Sequence, residues 1–72
     1  MTRPDRLIYM ANQIARFFAA QPGDPAAGVA AHLKSFWDPE MRDEIVAWRA
    51  AGGEGLDGVA LEAVGRLKTA SP

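Results

Sequence analysis

The chain has 72 residues with no cysteine and one histidine, which excludes a disulfide framework and metal sites built on thiolates or several imidazoles. Eight Lys and Arg residues against nine Asp and Glu residues give a formal net charge of −1, without a run of one sign. We therefore expect no nucleic-acid partner and no membrane contact. Neither a stretch of roughly 20 apolar residues nor a signal-peptide pattern occurs, which predicts a cytoplasmic protein. So short a chain predicts one domain, 1–72, whose stability needs tight packing or a partner.

The first predicted helix begins at Thr2, Arg3, Pro4 and Asp5, with Thr2 as N-cap, and runs to about Ala20. Two adjacent apolar stripes cover about half of its circumference, which is more than one helical neighbour hides. The stripes consist of Leu7, Met10, Ile14 and Phe17, and of Ile8, Ala11, Ala15 and Phe18. The opposite face carries Arg6, Tyr9, Asn12, Gln13 and Arg16.

Two Asp-Pro pairs predict the starts of the second and third helices. Aspartate accepts hydrogen bonds from the free N–H groups of a first turn, and proline suits the first helical position. Asp24 therefore opens a helix to about Trp37, and Asp38 opens the next, which ends at about Ala51. Because Pro39 disfavours helical backbone before it, we expect a sharp corner with Phe36 and Trp37 at the elbow.

A glycine-rich loop at 52–55 predicts the last connection, with Gly52 as the C-terminal cap of the third helix. A fourth, shorter helix is expected from Leu56 and Asp57 to about Lys68, weakened by its glycines. No window alternates apolar and polar residues, so strands are not predicted. The predicted fold is a small all-α domain of three to four helices with short Pro/Gly turns.

No constellation typical of an active site is present. Ser35 lacks the Asp-Ser-Leu context of a carrier protein, and the loop at 52–55 lacks the strand, Lys and Ser/Thr of a phosphate cradle. Most acidic residues stand at helix starts or on solvent faces, where capping and solubility explain them. The sequence predicts a protein without catalytic, cofactor-binding or metal-binding residues.

Large aromatic side chains are numerous for so small a core, and two interpretations remain open. Either all five of the largest are interior, or two or three of them anchor a protein partner. They are Phe17, Phe18, Phe36, Trp37 and Trp48. His32 is either a half-exposed ring stacked on a neighbour or a partner contact. Asn12 and Gln13 are either solvated or read the backbone of a partner.

Three segments together resemble the delta subunit of NAD-dependent formate dehydrogenases that carry molybdenum or tungsten. They are Met-Ala-Asn-Gln-Ile-Ala-Arg-Phe-Phe at 10–18, His-Leu-Lys-Ser-Phe-Trp-Asp-Pro-Glu-Met-Arg at 32–42, and Gly-Glu-Gly-Leu-Asp at 53–57. The resemblance covers a core of about 7–67. Two positions depart from the family pattern, Glu40 where a basic residue is common and Gly58 where proline is common.

The resemblance implies a non-catalytic accessory subunit. Its complex would contain an alpha subunit with bis-molybdopterin guanine dinucleotide and iron–sulfur clusters, and beta and gamma subunits with FMN and further clusters that reduce NAD. The delta subunit would dock on the alpha subunit and support its assembly, its stability or the insertion of its molybdenum cofactor. An alternative is a transient cofactor-insertion chaperone that does not remain in the mature enzyme.

The expected partner contacts lie on the first helix, on the second helix and at the corner. They are Asn12, Gln13, Phe18, His32, Phe36, Trp37, Asp38, Met41 and Arg42. A helix-turn-helix DNA-binding domain is a further alternative. The acidic start of the third helix argues against it, since these carboxylates would meet phosphates.

Overall fold

The computed structural model of the protein describes residues 3–70, with side chains to Leu67. Its elements are α1 (Asp5–Ala19), α2 (Pro25–Phe36), α3 (Pro39–Ala50) and α4 (Gly58–Ala70). No strand occurs in this part of the chain, so the predicted all-α class is confirmed. No helix among the described residues is long and apolar enough to cross a bilayer.

The helices share one interior, in which α4 packs against each of the other three. Its most extensive contact is with α2, which also packs against α1, while α3 packs on α4 and touches α1 less extensively. The largest fully buried side chains are Val29 and Leu33 from α2, Ile45 from α3 and Val64 from α4. Full burial of each such side chain contributes roughly 1.5–3 kcal/mol to the free energy of unfolding, so one shared core holds the helices together.

Both Asp-Pro pairs start helices, as predicted. The Asp24 carboxylate accepts hydrogen bonds from the backbone N–H groups of Ala26 and Ala27, at 3.1 and 3.3 Å. The Asp38 carboxylate accepts one from Met41 N–H at 2.9 Å. In both helices proline occupies the first turn, where its missing N–H leaves no donor unsatisfied.

The corner between α2 and α3 is also confirmed. Trp37 is the C-cap of α2, and its extended backbone (φ −86°, ψ 140°) turns the chain away. Arg42 reaches back and donates from Nη1 to the carbonyl oxygens of Lys34 and Trp37, at 2.8 and 3.2 Å. The last carbonyls of a helix have no partner within it, so this guanidinium both caps α2 and fixes the corner.

The start of α1 differs from the prediction. Pro4 is the N-cap, and no side chain makes a capping hydrogen bond there. The predicted cap, Thr2, lies outside the described residues. The helix begins at Asp5, whose carboxylate is paired with Arg3 at 2.7 Å.

The end of α3 follows a defined pattern. Gly52 N–H donates to Arg49 O and Gly53 N–H to Trp48 O, at 3.0 and 2.9 Å, which is the Schellman arrangement. Both glycines have positive φ, 130° and 67°, so side-chain-bearing residues would be strained there. The predicted capping role of Gly52 is thereby confirmed.

The fourth helix was predicted to be the shorter one, and this is wrong. It begins at Gly58 and spans 13 residues, against 12 each in α2 and α3. The Asp57 carboxylate accepts a hydrogen bond from Ala60 N–H at 2.9 Å and so caps its first turn. Buried Ala60, Ala63 and Val64 then hold the helix against α2 and α3 despite its two glycines.

Candidate partner-binding surface

Two of the five large aromatic side chains lie at the surface. Phe17 is 60% exposed and Phe36 is 74% exposed. Phe18 and Trp48 are half-buried, whereas Trp37 is only 5% exposed and belongs to the core. The interpretation in which all five are interior is therefore wrong, and two rings are available to a partner.

The exposed rings belong to one continuous cluster, which we call the aromatic patch and define as Phe17, Phe18, His32 and Phe36. Phe17 and Phe18 meet edge to face with centroids 5.1 Å apart, and Phe18 and His32 do so at 6.4 Å. His32 and Phe36 are tilted by 36° with centroids 4.6 Å apart. Four rings thus run in contact from the end of α1 across to the end of α2.

Local helix geometry produces this patch. His32 and Phe36 are four residues apart and share one face of α2, while Phe17 and Phe18 lie in the last turn of α1. Phe18 crosses to α2 at Gly28, where a β-carbon would lie 2.5 Å from the ring. The absent side chain at Gly28 therefore lets the two helices bring their aromatic residues together.

A half-open pocket lies within the patch. It is lined by Ile14, Phe17, Phe18 and His32, and its volume is about 260 Å³. The lining contains no Asp, Glu, Lys or Arg side chain, and most of its exposed atoms are carbon. The volume is below the roughly 300–1,000 Å³ typical of small-molecule sites.

Asn12 and Gln13 are neighbours in sequence but serve different purposes. The Asn12 amide donates from Nδ2 to Gly55 O at 2.8 Å, and its Oδ1 accepts from Asp57 N–H at 2.9 Å. Asn12 thus binds backbone groups of its own chain, whereas the sequence had left open a solvated side chain or one that reads the backbone of a partner. Gln13 is exposed and donates only to the Tyr9 hydroxyl, at 2.9 Å.

The other predicted contact residues also fall into two groups, those engaged in the fold and those exposed to a partner. Asp38 and Arg42 are engaged in the caps of α3 and α2, and Trp37 is buried. Met41 is half-buried against the core. Phe18, His32 and Phe36 are brought together in the patch. Phe17 was not among the predicted contacts, nor was Ile14, although the excess width of the α1 apolar face is the signal that points to both.

Charged groups tie the start of α2 to α4. Arg66 donates to Asp24 Oδ2 at 2.9 Å and also pairs with Glu62. The hydrogen bond from Arg66 is the main cause that lowers the pKa of Asp24, and those from the backbone of Ala27 and Ala26 act in the same direction. Among the described residues, no group of three or more His, Asp or Glu side chains is arranged to hold a metal ion.

Comparison with protein families identifies the relationship. The profile of the NADH-dependent formate dehydrogenase delta subunit family, FdsD, matches residues 6–64. The chain belongs to this family. The resemblance predicted from the three sequence segments is confirmed, and the matched range contains the whole aromatic patch. Neither the curated proteins nor the solved structures give a match.

Membership in this family makes the chain an accessory, delta-type subunit of an NAD-dependent formate dehydrogenase. The matched range begins one residue after the start of α1 and ends within α4, so it spans the first three helices and the first half of the fourth. The aromatic patch is therefore a feature of a protein that functions within a multi-subunit enzyme.

Proposed function

We propose that the protein is a non-catalytic subunit that docks on the catalytic alpha subunit of an NAD-dependent formate dehydrogenase. There it supports the assembly or stability of that subunit, or the insertion of its molybdenum cofactor. The observation that carries this proposal is the exposure of Phe17 and Phe36 in a chain whose family is defined by a multi-subunit enzyme. Contiguous exposed apolar surface commonly marks a protein-interaction site.

The non-catalytic role is supported by how the polar side chains are used. The carboxylates of Asp24, Asp38 and Asp57 accept hydrogen bonds from the first turns of three helices. Asn12 and Arg42 bind carbonyl oxygens of their own chain. These groups are engaged in holding the fold, whereas an active site gathers polar groups around a pocket.

The mechanism follows from mass action. A subunit that binds only the native form of its partner stabilises that form by an amount that grows with the logarithm of its concentration over its dissociation constant. The gain is about 2.7 kcal/mol at a hundred times the dissociation constant. Bound to the alpha subunit, the chain would hold it in the form that accepts or retains its cofactor.

In this proposal the cofactors belong to the other subunits: bis-molybdopterin guanine dinucleotide and iron–sulfur clusters to alpha, FMN and further clusters to beta and gamma. The apolar pocket of about 260 Å³ favours docking over the alternative of a chaperone that carries the cofactor. A guanine dinucleotide bears phosphates, which are bound by basic side chains or backbone N–H groups rather than by phenylalanine rings.

The proposal is tested by producing the complex with and without this chain. The full set of subunits is expressed, purified through a tag on the beta subunit, and analysed for its subunits and for molybdenum per alpha subunit. We expect the chain to co-purify, and its omission to lower either the yield of alpha or its molybdenum content. Unchanged yield and content would contradict the proposal. If co-expression of the chain raises the molybdenum content of the alpha subunit but the purified complex does not contain the chain, the transient chaperone is established instead.

A further inference from the structure

We infer that the aromatic patch is the surface that contacts the alpha subunit, and that its pocket receives one bulky apolar side chain of that subunit. The inference rests on the proposed function and adds to it the contact face and the chemistry of the group that binds there. Its elements are the exposed rings of Phe17 and Phe36, the pocket between the helices, and the ring of His32.

The lining of the pocket determines what fits. Ile14, Phe17, Phe18 and His32 present mainly carbon atoms, so a charged group placed there would lose its hydration without gaining an ionic partner. A leucine, methionine or phenylalanine side chain gains from the transfer out of water instead. A volume of about 260 Å³ accommodates one such side chain rather than a whole helix.

The size of the patch favours a large partner over a second copy of the chain. Phe17 and Phe36 are 60% and 74% exposed, which leaves roughly 250 Å² of ring surface in water. A standard interface buries about 800 Å² on each partner. The patch is therefore a central anchor whose surrounding contacts must come from a surface shaped around it. A second copy would add only the same small patch and the same net charge of −1.

His32 gives the surface a polar element. Its ring is half-buried, stacked on Phe36 and in edge contact with Phe18. The contacts with Phe36 and Phe18 restrain the plane of the imidazole. Because buried polar groups need hydrogen-bond partners, the alpha subunit must present a donor or acceptor opposite this ring.

Direct binding measurements test the inference. A complex lacking the delta subunit is titrated with the fluorescently labelled full-length chain, and the dissociation constants of variants are compared. Phe17→Ala and Phe36→Ala each remove an exposed ring, and each is expected to weaken binding at least about 10-fold. Tyr9→Ala is the matched control, since Tyr9 is 62% exposed on the same helix but lies about 12 Å along the axis from Phe17. This control is expected to change the dissociation constant by less than about 2-fold.

His32→Phe separates packing from hydrogen bonding. It keeps a stacked ring but removes the nitrogen atoms, so binding is expected to weaken about 5- to 10-fold. Circular dichroism of each variant confirms that the helices are retained.

The outcomes separate the two proposals. If the wild-type chain binds the complex and the three patch variants (Phe17→Ala, Phe36→Ala and His32→Phe) bind equally well, the contact lies elsewhere. The inference is then wrong, while the proposed function stands. If the wild-type chain does not bind a complex that contains the alpha subunit, the proposed function fails. If light scattering shows a dimer of the isolated chain that Phe36→Ala dissociates, while binding to alpha is unchanged, the occupant of the patch is a second copy.

Discussion

Asn12 is the side chain whose replacement tests the packing of this domain most sharply. Its amide connects α1 to the loop before α4 through two hydrogen bonds, at 2.8 Å to Gly55 O and at 2.9 Å from Asp57 N–H. Replacement by alanine removes both bonds and leaves a carbonyl and an N–H group to be satisfied by water. We therefore expect Asn12→Ala to loosen the loop and to destabilise the domain.

The magnitude follows from the environment. Each neutral hydrogen bond contributes about 0.5–1.5 kcal/mol, and Asn12 is only half-buried, so the expected loss in the free energy of unfolding is about 2 kcal/mol. A domain of this length has a total stability of roughly 4–10 kcal/mol. With a slope of about 1 kcal/mol per molar urea, the unfolding midpoint should fall by about 2 M.

The assay is urea unfolding of the full-length chain, followed by circular dichroism and tryptophan fluorescence. Gln13→Ala is the matched control, because its side chain is exposed and bonds only to the Tyr9 hydroxyl. The control should change the free energy of unfolding by no more than about 0.5 kcal/mol. Equal midpoints for the Asn12→Ala and Gln13→Ala variants would refute the assigned role of Asn12.

Three further predictions concern caps, charge and glycine. Asp38→Ala removes the acceptor of Met41 N–H and should lower the free energy of unfolding by about 1 kcal/mol in the same urea assay; an unchanged midpoint would contradict the capping role. Arg66 lowers the pKa of Asp24 in the folded state below its usual 3.8, so the Arg66–Asp24 pair stabilises the fold above that pH. This contribution is lost as the pH falls through the pKa that Asp24 has in the folded state. Thermal melts at several pH values should therefore show a smaller acid-induced loss of stability for Arg66→Gln than for the wild type, and equal losses would exclude the pair as a cause. In Gly58→Ala the new β-carbon meets open space, so the free energy of unfolding should rise by up to about 1 kcal/mol and the melting temperature with it. In Gly65→Ala the β-carbon lies 2.9 Å from the Arg49 guanidinium, so the stability should rise less or fall. A larger rise for Gly65→Ala than for Gly58→Ala would contradict that contact.

The helix boundaries could be predicted because they depend on local chemistry. An Asp-Pro pair contains both the acceptor that the first turn needs and the residue that tolerates the first helical position, so Asp24 and Asp38 fix two helix starts without knowledge of the fold. Gly52 likewise provides the conformation that ends α3. The fourth helix was underestimated because helix propensity omits burial against neighbouring helices, which stabilises it in the domain.

The use of individual side chains could not be predicted in the same way. Asn12 meets the loop 43 residues further along the chain, and nothing in its sequence neighbourhood separates it from Gln13. The position of Trp37 in the core likewise depends on how α3 turns back at the corner. Tertiary packing decides both, so residues predicted as partner contacts proved to support the fold.

The sequence could predict that α1 has more apolar surface than one neighbouring helix covers, but not where the uncovered part lies. The wide apolar face of α1 indicates that some of it stays in water, but which edge is covered depends on where α2 lies. Packing at Gly28 places α2 against Phe18 and leaves Phe17 at the rim. The surplus apolar surface therefore extends from the last turn of α1 to the face of α2 that carries His32 and Phe36.

The central claim is that this small domain exists to bind the catalytic subunit of its enzyme. The most direct measurement is the binding of the purified full-length chain to separately purified alpha subunit and to the beta–gamma pair, by isothermal titration calorimetry. We predict saturable binding to alpha at one site, with a negative heat-capacity change from buried apolar surface, and no binding to the beta–gamma pair. Binding to the beta–gamma pair in place of alpha, or to neither, would contradict the account.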